Sequence, residues 1–257
     1  MKFVVLKRKS VIAWTLMSLG LVALIAINAL TGYGALAVGK TTRKLPIYCV
    51  DTAEKQVALS FDASWGADKT LSILSTLKEY GVKANFFCVG FWAEKYAETL
   101  KTLASSGVFE VGTHSNTHPH MAKLSEKQIR AELTTSLDTI ERITGTRPNL
   151  FRAPYGEYND TLINTASDMG LYTIQWDVDT LDWKGISANQ IATRVLNNAK
   201  NGSIILMHND GKNTVSALPL IIEGLKNKGF KFVTIGELIY KDGYEIDHTG
   251  KQIRIEG

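Results

Sequence analysis

The stretch that decides the fold is residues 57–66, VALSFDASWG, where a short apolar strand pattern runs directly into a carboxylate at Asp62. This first strand is predicted near 56–61. Six further strands are predicted near 84–90, 109–113, 149–153, 171–177, 203–207 and 231–235. Helix patterns are predicted between them, near 68–80, 91–106, 125–143, 159–169, 187–200 and 214–228. Short apolar strands that alternate with helices indicate an α/β fold with parallel strands covered by helices.

The number of β/α units favours a barrel. Seven units without an early edge strand predict a (β/α) barrel, and because a regular barrel has eight, we expect a distorted barrel of about seven parallel strands. A doubly wound open sheet is the alternative. We place the domain at 56–240, a linker at 31–55 and a polar tail outside the barrel at 241–257.

The first 30 residues carry a membrane signal. Residues 11–30 include Asn28 as their one strongly polar side chain and follow a basic segment. An apolar helix of that length crosses a hydrocarbon core of about 30 Å, and the basic segment predicts an inside N-terminus. Two interpretations remain: an uncleaved anchor, favoured by the length of the run, or a signal peptide cleaved near residues 35–37. The domain is expected outside the cytoplasm, on the membrane or secreted.

The charge balance argues against nucleic acid as a partner. The chain has 29 Lys and Arg residues against 25 Asp and Glu, and four of the basic residues lie among the first ten, which hold no acid. The remainder is therefore neutral, without the basic excess that nucleic-acid binding uses. Cys49 and Cys88 are the only cysteines. We expect Cys88 to be a buried free thiol, although a disulfide between the two is permitted outside the cytoplasm.

Unusual polar residues collect where the predicted strands end. These residues are Asp62, His114, His118, Arg152, Tyr155, Asp177, Asp179, Asp182 and His208. The carboxyl ends of barrel strands form the face on which active sites are built. The clustering therefore predicts a catalytic site at this face.

The histidines and carboxylates each permit more than one interpretation. His114 and His118 are four residues apart, so on a helical turn both could bind one metal ion, although two solvated loop histidines are equally compatible. His208 closes an apolar strand and could be a satisfied core residue, but its place on the same face as Asp62 and His114 favours proton transfer near neutral pH. Asp179 and Asp182 could hold and charge it, or serve as loop hydrogen-bond acceptors.

The four tryptophans outside the predicted anchor lie near the same strand ends. They are Trp65, Trp92, Trp176 and Trp183. Flat apolar faces beside polar groups suit stacking on sugar rings, and packing in the core is the alternative that we expect for Trp176.

Five segments in order, SFDAS, HSNTH, RAPYG, DTLDW and LMH, resemble the five motifs of polysaccharide deacetylases, the NodB homology domain of carbohydrate esterase family 4. The resemblance spans roughly residues 55–240. The segments SFDASWG, THPHM and QWDVDTLDW look most like the PdaB-type sporulation branch. The resemblance implies a distorted barrel that removes N-acetyl groups from cell-wall glycan, peptidoglycan or a related N-acetylglucosamine polymer, with a divalent metal such as zinc or cobalt.

The resemblance also implies roles for individual residues. Asp62 would be the general base, oriented by Arg152, and His114 and His118 would bind the metal. His208 would protonate the leaving amine, with Asp179 as its partner. The remaining roles are the oxyanion donor and substrate contact at Tyr155, and the acetyl pocket at Trp183 and Leu206.

One position departs from the family pattern. Active members have a second carboxylate directly after the base, and here that residue is Ala63. Two imidazoles are one ligand short of the three that catalytic zinc sites normally use. His120 or Asp68 could supply a ligand, Asp62 could bind the metal itself, or water could fill the shell. The alternative function is therefore a glycan-binding barrel with little or no catalysis.

Overall fold

The computed structural model describes residues 14–19 and 43–255, which fall into two separate units. Residues 14–19 are helical. None of the helices in these described ranges is long and apolar enough to span a membrane. Most of the predicted anchor at 11–30, and the linker up to residue 42, lie outside the described residues, so both stay predictions.

Residues 43–255 contain one curled sheet, in which most strand pairs are parallel. Its strands are β1 (Cys49–Val50), β2 (Gln56–Ala63), β3 (Ala84–Cys88), β4 (Phe109–Thr113), β5 (Leu150–Phe151), β6 (Tyr172–Thr173), β7 (Val178–Asp179), β8 (Ser203–His208), β9 (Lys231–Phe232), β10 (Tyr244–Ile246) and β11 (Lys251–Arg254). The order is β10-β11-β1-β8-β2-β3-β4-β5-β6, with β7 beside β8 and β9 beside β2. This curled parallel sheet agrees with the predicted distorted barrel and not with a doubly wound sheet.

Helices follow the strands as predicted. They are α1 (Thr70–Glu79), α2 (Gly90–Lys95), α3 (Ala97–Ser105), α4 (Glu126–Thr144), α5 (Asp160–Asp168), α6 (Ala188–Asn198), α7 (Thr214–Asn227) and α8 (Ile235–Leu238). Helix α4 begins at a capping box of Ser125 with Gln128, which satisfies backbone donors at its first turn. The predicted helix at 91–106 is interrupted at Tyr96, where φ is −119° and ψ is 42°.

The central strand β2 separates two environments by its alternation. Val57, Leu59, Phe61 and Ala63 all belong to one apolar cluster, which also contains residues of α1, α6 and α7. The intervening residues point to the other face, because successive strand side chains alternate. Asp62 is therefore on the interior face of the curled sheet, whereas Ala63 is on the face covered by helices.

The segment predicted as a linker takes part in the sheet. The Ile47 N–H donates to the carbonyl of Thr173 (2.9 Å), and the Gln175 N–H donates to the carbonyl of Ile47 (2.7 Å). Two residues later Cys49 pairs with Ser203 of β8. Residues 47–50 thus join β6 to β8. The prediction of a linker up to residue 55 is wrong for this part, because the apolar Ile47 and Val50 pack into the core.

Two other predictions are corrected. Of the strand predicted at 171–177, only β6 is regular strand, and it pairs with β5; the next strand, β7, begins after the predicted range and pairs with β8. The tail predicted to lie outside the barrel forms the hairpin of β10 and β11, and β11 pairs with β1. Its Gln252 is fully buried and bonds the backbone of Tyr240, so the polar composition misled the prediction. Cys49 and Cys88 are both buried and unpaired.

Candidate active site

A cleft of about 780 Å³ opens at the carboxyl ends of the strands. Its walls include eight of the nine residues to which the resemblance assigns a role, namely Asp62, His114, His118, Tyr155, Asp179, Trp183, Leu206 and His208. The ninth, Arg152, lies directly beneath. As predicted from the strand ends, the fold brings together residues that are far apart in sequence.

Asp62 and Arg152 form a buried ion pair under the cleft. Arg152 Nη1 donates to Asp62 Oδ1 at 2.8 Å, and Nη2 donates to the carbonyl of Gln175 at 3.2 Å. The guanidinium is fully buried and lies over the ring of Phe87, 4.3 Å from its centroid. Burial raises the pKa of Asp62, but the charge and hydrogen bond of Arg152 outweigh burial, so the pKa is lowered. The carboxylate is thus kept ionised at neutral pH, as a general base requires.

His114 and His118 face each other, with ring centroids 5.0 Å apart. The Nδ1 atom of His114 lies 2.8 Å from the carbonyl oxygen of Arg152, which can only accept, so Nδ1 carries the proton and Nε2 keeps a free lone pair. The Nδ1 atom of His118 is buried without a hydrogen-bond partner. Burial, then His114, lowers the pKa of His118 to about 4, so its ring is neutral. Both imidazoles are therefore in the state that binds a cation.

The donor set stops at two imidazoles. Asp62 Oδ2 is 3.7 Å from His114 Nε2, and Arg152 occupies the other oxygen of the carboxylate. Within 14–19 and 43–255, no three His, Cys, Asp or Glu side chains are arranged to hold a metal. The two residues predicted as ligands fit a divalent cation, but the site is one ligand short of a usual catalytic zinc site.

The candidate substitutes for a third ligand lie elsewhere. His120 Nδ1 is 2.8 Å from Glu157 Oε2, and its ring stacks on Tyr155 at 4.4 Å. Asp68 is exposed and is not among the cleft residues. Ala63 is fully buried in the apolar cluster on the other face of β2 and does not line the cleft either.

His208 is held by Asp182. Its Nδ1 donates to Asp182 Oδ1 at 2.8 Å, while Asp182 Oδ2 accepts from the His208 N–H (2.8 Å) and from the hydroxyl of Thr214 (2.6 Å). Burial lowers the pKa of His208, but the hydrogen bond and charge of Asp182 outweigh burial and raise the pKa. His208 is therefore poised to carry a proton and to donate it from Nε2.

The family resemblance implies Asp179 as this partner, and the structure places Asp182 there instead. Asp179 lines the cleft, and its Oδ1 accepts from the N–H of Leu181 at 2.8 Å. Leu181 has a φ of +55°, a left-handed turn that leads the chain into Asp182. Asp179 still adds to the raised pKa of His208 through its charge, after Asp182 and Asp62.

Tyr155 adopts strained backbone geometry at the cleft. Its φ is +60°, which is uncommon for a residue other than glycine. The ring is exposed and packs edge-on against His118 with centroids 4.6 Å apart. Ser115, His118 and Leu181 are the other described non-glycine residues with positive φ, and all belong to loops around this cleft. Strained residues that cluster in this way are typical of functional sites.

Aromatic and apolar side chains form the walls. Trp183 and Trp65 line the cleft with exposed rings, and Leu206 lines it while almost fully buried. Trp176, which we expected to pack in the core, also lines the cleft. Trp92 is buried, and its ring N–H donates to the carbonyl of Gly66 at 2.6 Å.

The residues directly after His208 were not among the predicted site residues. Asn209, Asp210, Gly211 and Lys212 line the cleft. Because they continue the same strand end, the rule that found His208 could have found them. The Gln175 carbonyl that holds Arg152 leaves no sequence signal, because any residue carries a carbonyl.

Comparison with known proteins agrees with the motifs. The family model of polysaccharide deacetylases matches residues 50–174. Two peptidoglycan-N-acetylglucosamine deacetylases from Bacillus cereus are 39% and 32% identical to the chain; the alignments cover 70% and 74% of this chain and 66% and 91% of those proteins. The chain spans 40 to 66% of the length of four curated relatives that it matches.

Solved structures resemble the chain as well. The crystal structure of a pseudoenzyme of carbohydrate esterase family 4 from Bacillus anthracis is 34% identical, with a TM-score of 0.73 over 82% of this chain and 70% of that chain. A mutant of such a pseudoenzyme with restored enzymatic activity is 35% identical, with a TM-score of 0.73 over 82% of this chain and 72% of that chain.

Proposed function

Because the chain belongs to the polysaccharide deacetylase family, we propose that it hydrolyses N-acetyl groups of a cell-wall glycan, peptidoglycan or a related N-acetylglucosamine polymer. The main support for this proposal is that one cleft holds two groups whose pKa values are shifted in opposite directions. Asp62 has a lowered pKa and His208 a raised pKa. A base and an acid that titrate apart in this way can act together at neutral pH.

The proposed mechanism assigns one task to each group. Asp62 takes a proton from the attacking water, and Arg152 keeps the carboxylate oriented. The N–H of Tyr155 stabilises the oxyanion that develops on the acetyl oxygen. His208, whose protonated form is stabilised by Asp182, protonates the leaving amine, which is otherwise a poor leaving group. Trp183 and Leu206 bound the acetyl pocket.

We propose a divalent cation, zinc or cobalt, at His114 and His118. Such an ion would act as a Lewis acid on the acetyl carbonyl. The neutral, inward-facing imidazoles support this assignment, and the two-ligand donor set implies weak binding.

Acetate release tests the activity. The full-length chain is incubated with N-acetylglucosamine oligomers or peptidoglycan, with zinc, with cobalt and with chelator. Asp62→Asn is the control, because asparagine keeps the shape of the side chain and cannot accept the proton. Acetate release above this control is expected; none with any metal overturns the proposal.

A second function is a glycan-binding protein with little catalysis. Ala63 in its apolar environment supports it, as does the likeness to a pseudoenzyme. It predicts binding to glycan oligomers that survives chelation and survives His114→Ala. Loss of binding on chelation contradicts it.

We further propose that the segment at 1–30 directs the domain to the outer side of the cell membrane, and that the protein acts in sporulation. The apolar run behind a basic segment supports the location, and the PdaB-like segments support the role. Fractionation of growing and sporulating cells with an antibody tests both. Detection in the cytosol alone, or at equal levels in both conditions, contradicts them.

A further inference from the structure

The loop that carries both candidate metal ligands is strained. Residues 114–118 follow β4, and two of them, Ser115 and His118, have φ values of +70° and +59°. Each such non-glycine residue costs on the order of 1–2 kcal/mol. A loop in this conformation persists only when its surroundings hold it.

A single carboxylate on a neighbouring helix binds the middle of this loop. Glu132 of α4 accepts from the backbone N–H groups of Asn116 (2.9 Å) and Thr117 (2.8 Å) through Oε2. Its Oε1 accepts from the hydroxyl of Thr117 at 2.8 Å. Three donors therefore converge on one ionised group, and such charge-assisted bonds are about twice as strong as neutral ones.

The helix that carries Glu132 is anchored by its packing in the core. Ile129 and Leu133, on either side of it in sequence, are fully buried in a second apolar cluster. A carboxylate on such a helix is a fixed point rather than a mobile side chain.

The opposite side of the loop is held by α2. The N–H groups of Gly90 and Phe91 donate to the carbonyls of Ser115 (2.9 Å) and Asn116 (3.1 Å). A Cβ atom at position 90 would lie 2.2 Å from Asn116 Oδ1, so a larger residue there would have to displace the Asn116 side chain. The loop is thus clamped between α2 and Glu132, directly before His118.

We propose that Glu132 is a positioning residue, which fixes the backbone of Asn116 and Thr117 and thereby the direction in which His118 presents its ring to the cleft. Glu132 touches neither the cleft nor a reacting atom. The part of this inference that concerns metal affinity rests on the proposed function; the part that concerns the ring of His118 does not.

Two substitutions separate geometry from charge. In Glu132→Gln the amide oxygen can accept from both backbone N–H groups, and the NH₂ group can donate to the hydroxyl oxygen of Thr117. The clamp is then kept and only the charge is lost. In Glu132→Ala all three bonds are lost. Glu126→Gln is the matched control, because it removes one charge from the same helix without contacting the loop.

The experiment measures the full-length chain in two ways. Imidazole ¹H–¹⁵N spectra of the metal-free protein report the environment and tautomer of His118, with His208 as an internal reference. Competition with a chromogenic chelator reports zinc affinity. For Glu132→Ala we expect shifted His118 signals, unchanged His208 signals and a loss of about 10- to 100-fold in affinity, as for other residues that orient metal ligands. Glu132→Gln and Glu126→Gln are expected within about threefold of wild type, a small change beside that loss.

The His118 spectra and the zinc affinities test different parts of the proposal. Wild-type His118 signals in Glu132→Ala overturn the proposal, and so does a Glu132→Gln variant as impaired as the alanine variant. If wild type binds no zinc, the proposed metal dependence fails, whereas the His118 spectra still decide the role of Glu132. Should Glu132→Ala not fold, Glu132→Asp replaces it, because its shorter side chain cannot keep all three bonds; wild-type signals there overturn the proposal equally.

Discussion

Replacing Ala63 by aspartate puts a carboxylate into the packed apolar cluster on the helix-covered face of β2. Ala63 is fully buried on the helix-covered face of β2. Burial without a partner raises a carboxyl pKa by about 3 units or more. At about 1.4 kcal/mol per unit, the metal-free Ala63→Asp protein should be roughly 4 kcal/mol less stable than wild type at pH 7.

The sign of the pH dependence follows from linkage. The native pKa of the new carboxyl lies above its unfolded value, so the penalty from ionisation is absent below about pH 4 and grows as the pH rises through neutrality. Urea unfolding in chelator at pH 4 and pH 7 measures the difference. Ala63→Asn is the matched control, because it has nearly the same volume but cannot ionise, and its loss of stability should not depend on pH.

Zinc tests whether position 63 supplies the missing ligand. If the new carboxylate reaches over the strand end to the ion held by His114 and His118, zinc at about 100 times its Kd restores roughly 2.7 kcal/mol. Acetate release should rise with it. Equal stability of the variant and wild type in chelator at pH 7 would refute the burial argument. Equal zinc stabilisation of Asp, Asn and wild type would refute the ligand argument.

Two further substitutions probe the acid and the base. Asp182→Asn removes the charge that most raises the pKa of His208, so the alkaline limb of the pH–rate profile should move to lower pH by about 1–2 units, more than in Asp179→Asn; equal shifts would contradict the assignment of Asp182. Arg152→Met leaves Asp62 buried without its partner, so urea unfolding at pH 7 should show a loss of about 3–5 kcal/mol in the free energy of unfolding. A loss below about 1 kcal/mol, the usual value for an exposed ion pair, would contradict the buried ion pair.

The sequence predicted the parts of the fold that local patterns encode. Strand β2 ends at Ala63, directly after Asp62, and β8 ends at His208, in both cases close to where an apolar run stops. Helix α4 begins at its capping box of Ser125 with Gln128. The alternation of residues 57, 59, 61 and 63 also encodes the side on which Ala63 lies, although the prediction did not use this signal. These signals are local, so one sequence suffices to read them.

The rest depends on backbone geometry that no local pattern reports. The choice of Asp182 over Asp179 depends on the left-handed turn at Leu181, which leucine seldom adopts. The division of β6 from β7 and the bridge from Ile47 to Ile174 depend on how the sheet curls. Long-range pairing of this kind leaves no periodicity in the residues that take part.

The pairing of β1 with β11 sets a limit on when the domain can mature during synthesis. Cys49 pairs with Lys251 and Val50 with Gln252, so one edge of β1 stays unpaired until residues 251–254, far along the chain, have left the ribosome. An unpaired strand edge is a template for pairing with other chains. Nascent or truncated chains that lack residues 251–254 should therefore be the aggregation-prone species, because the pairing of β11 with β1 removes this exposed edge.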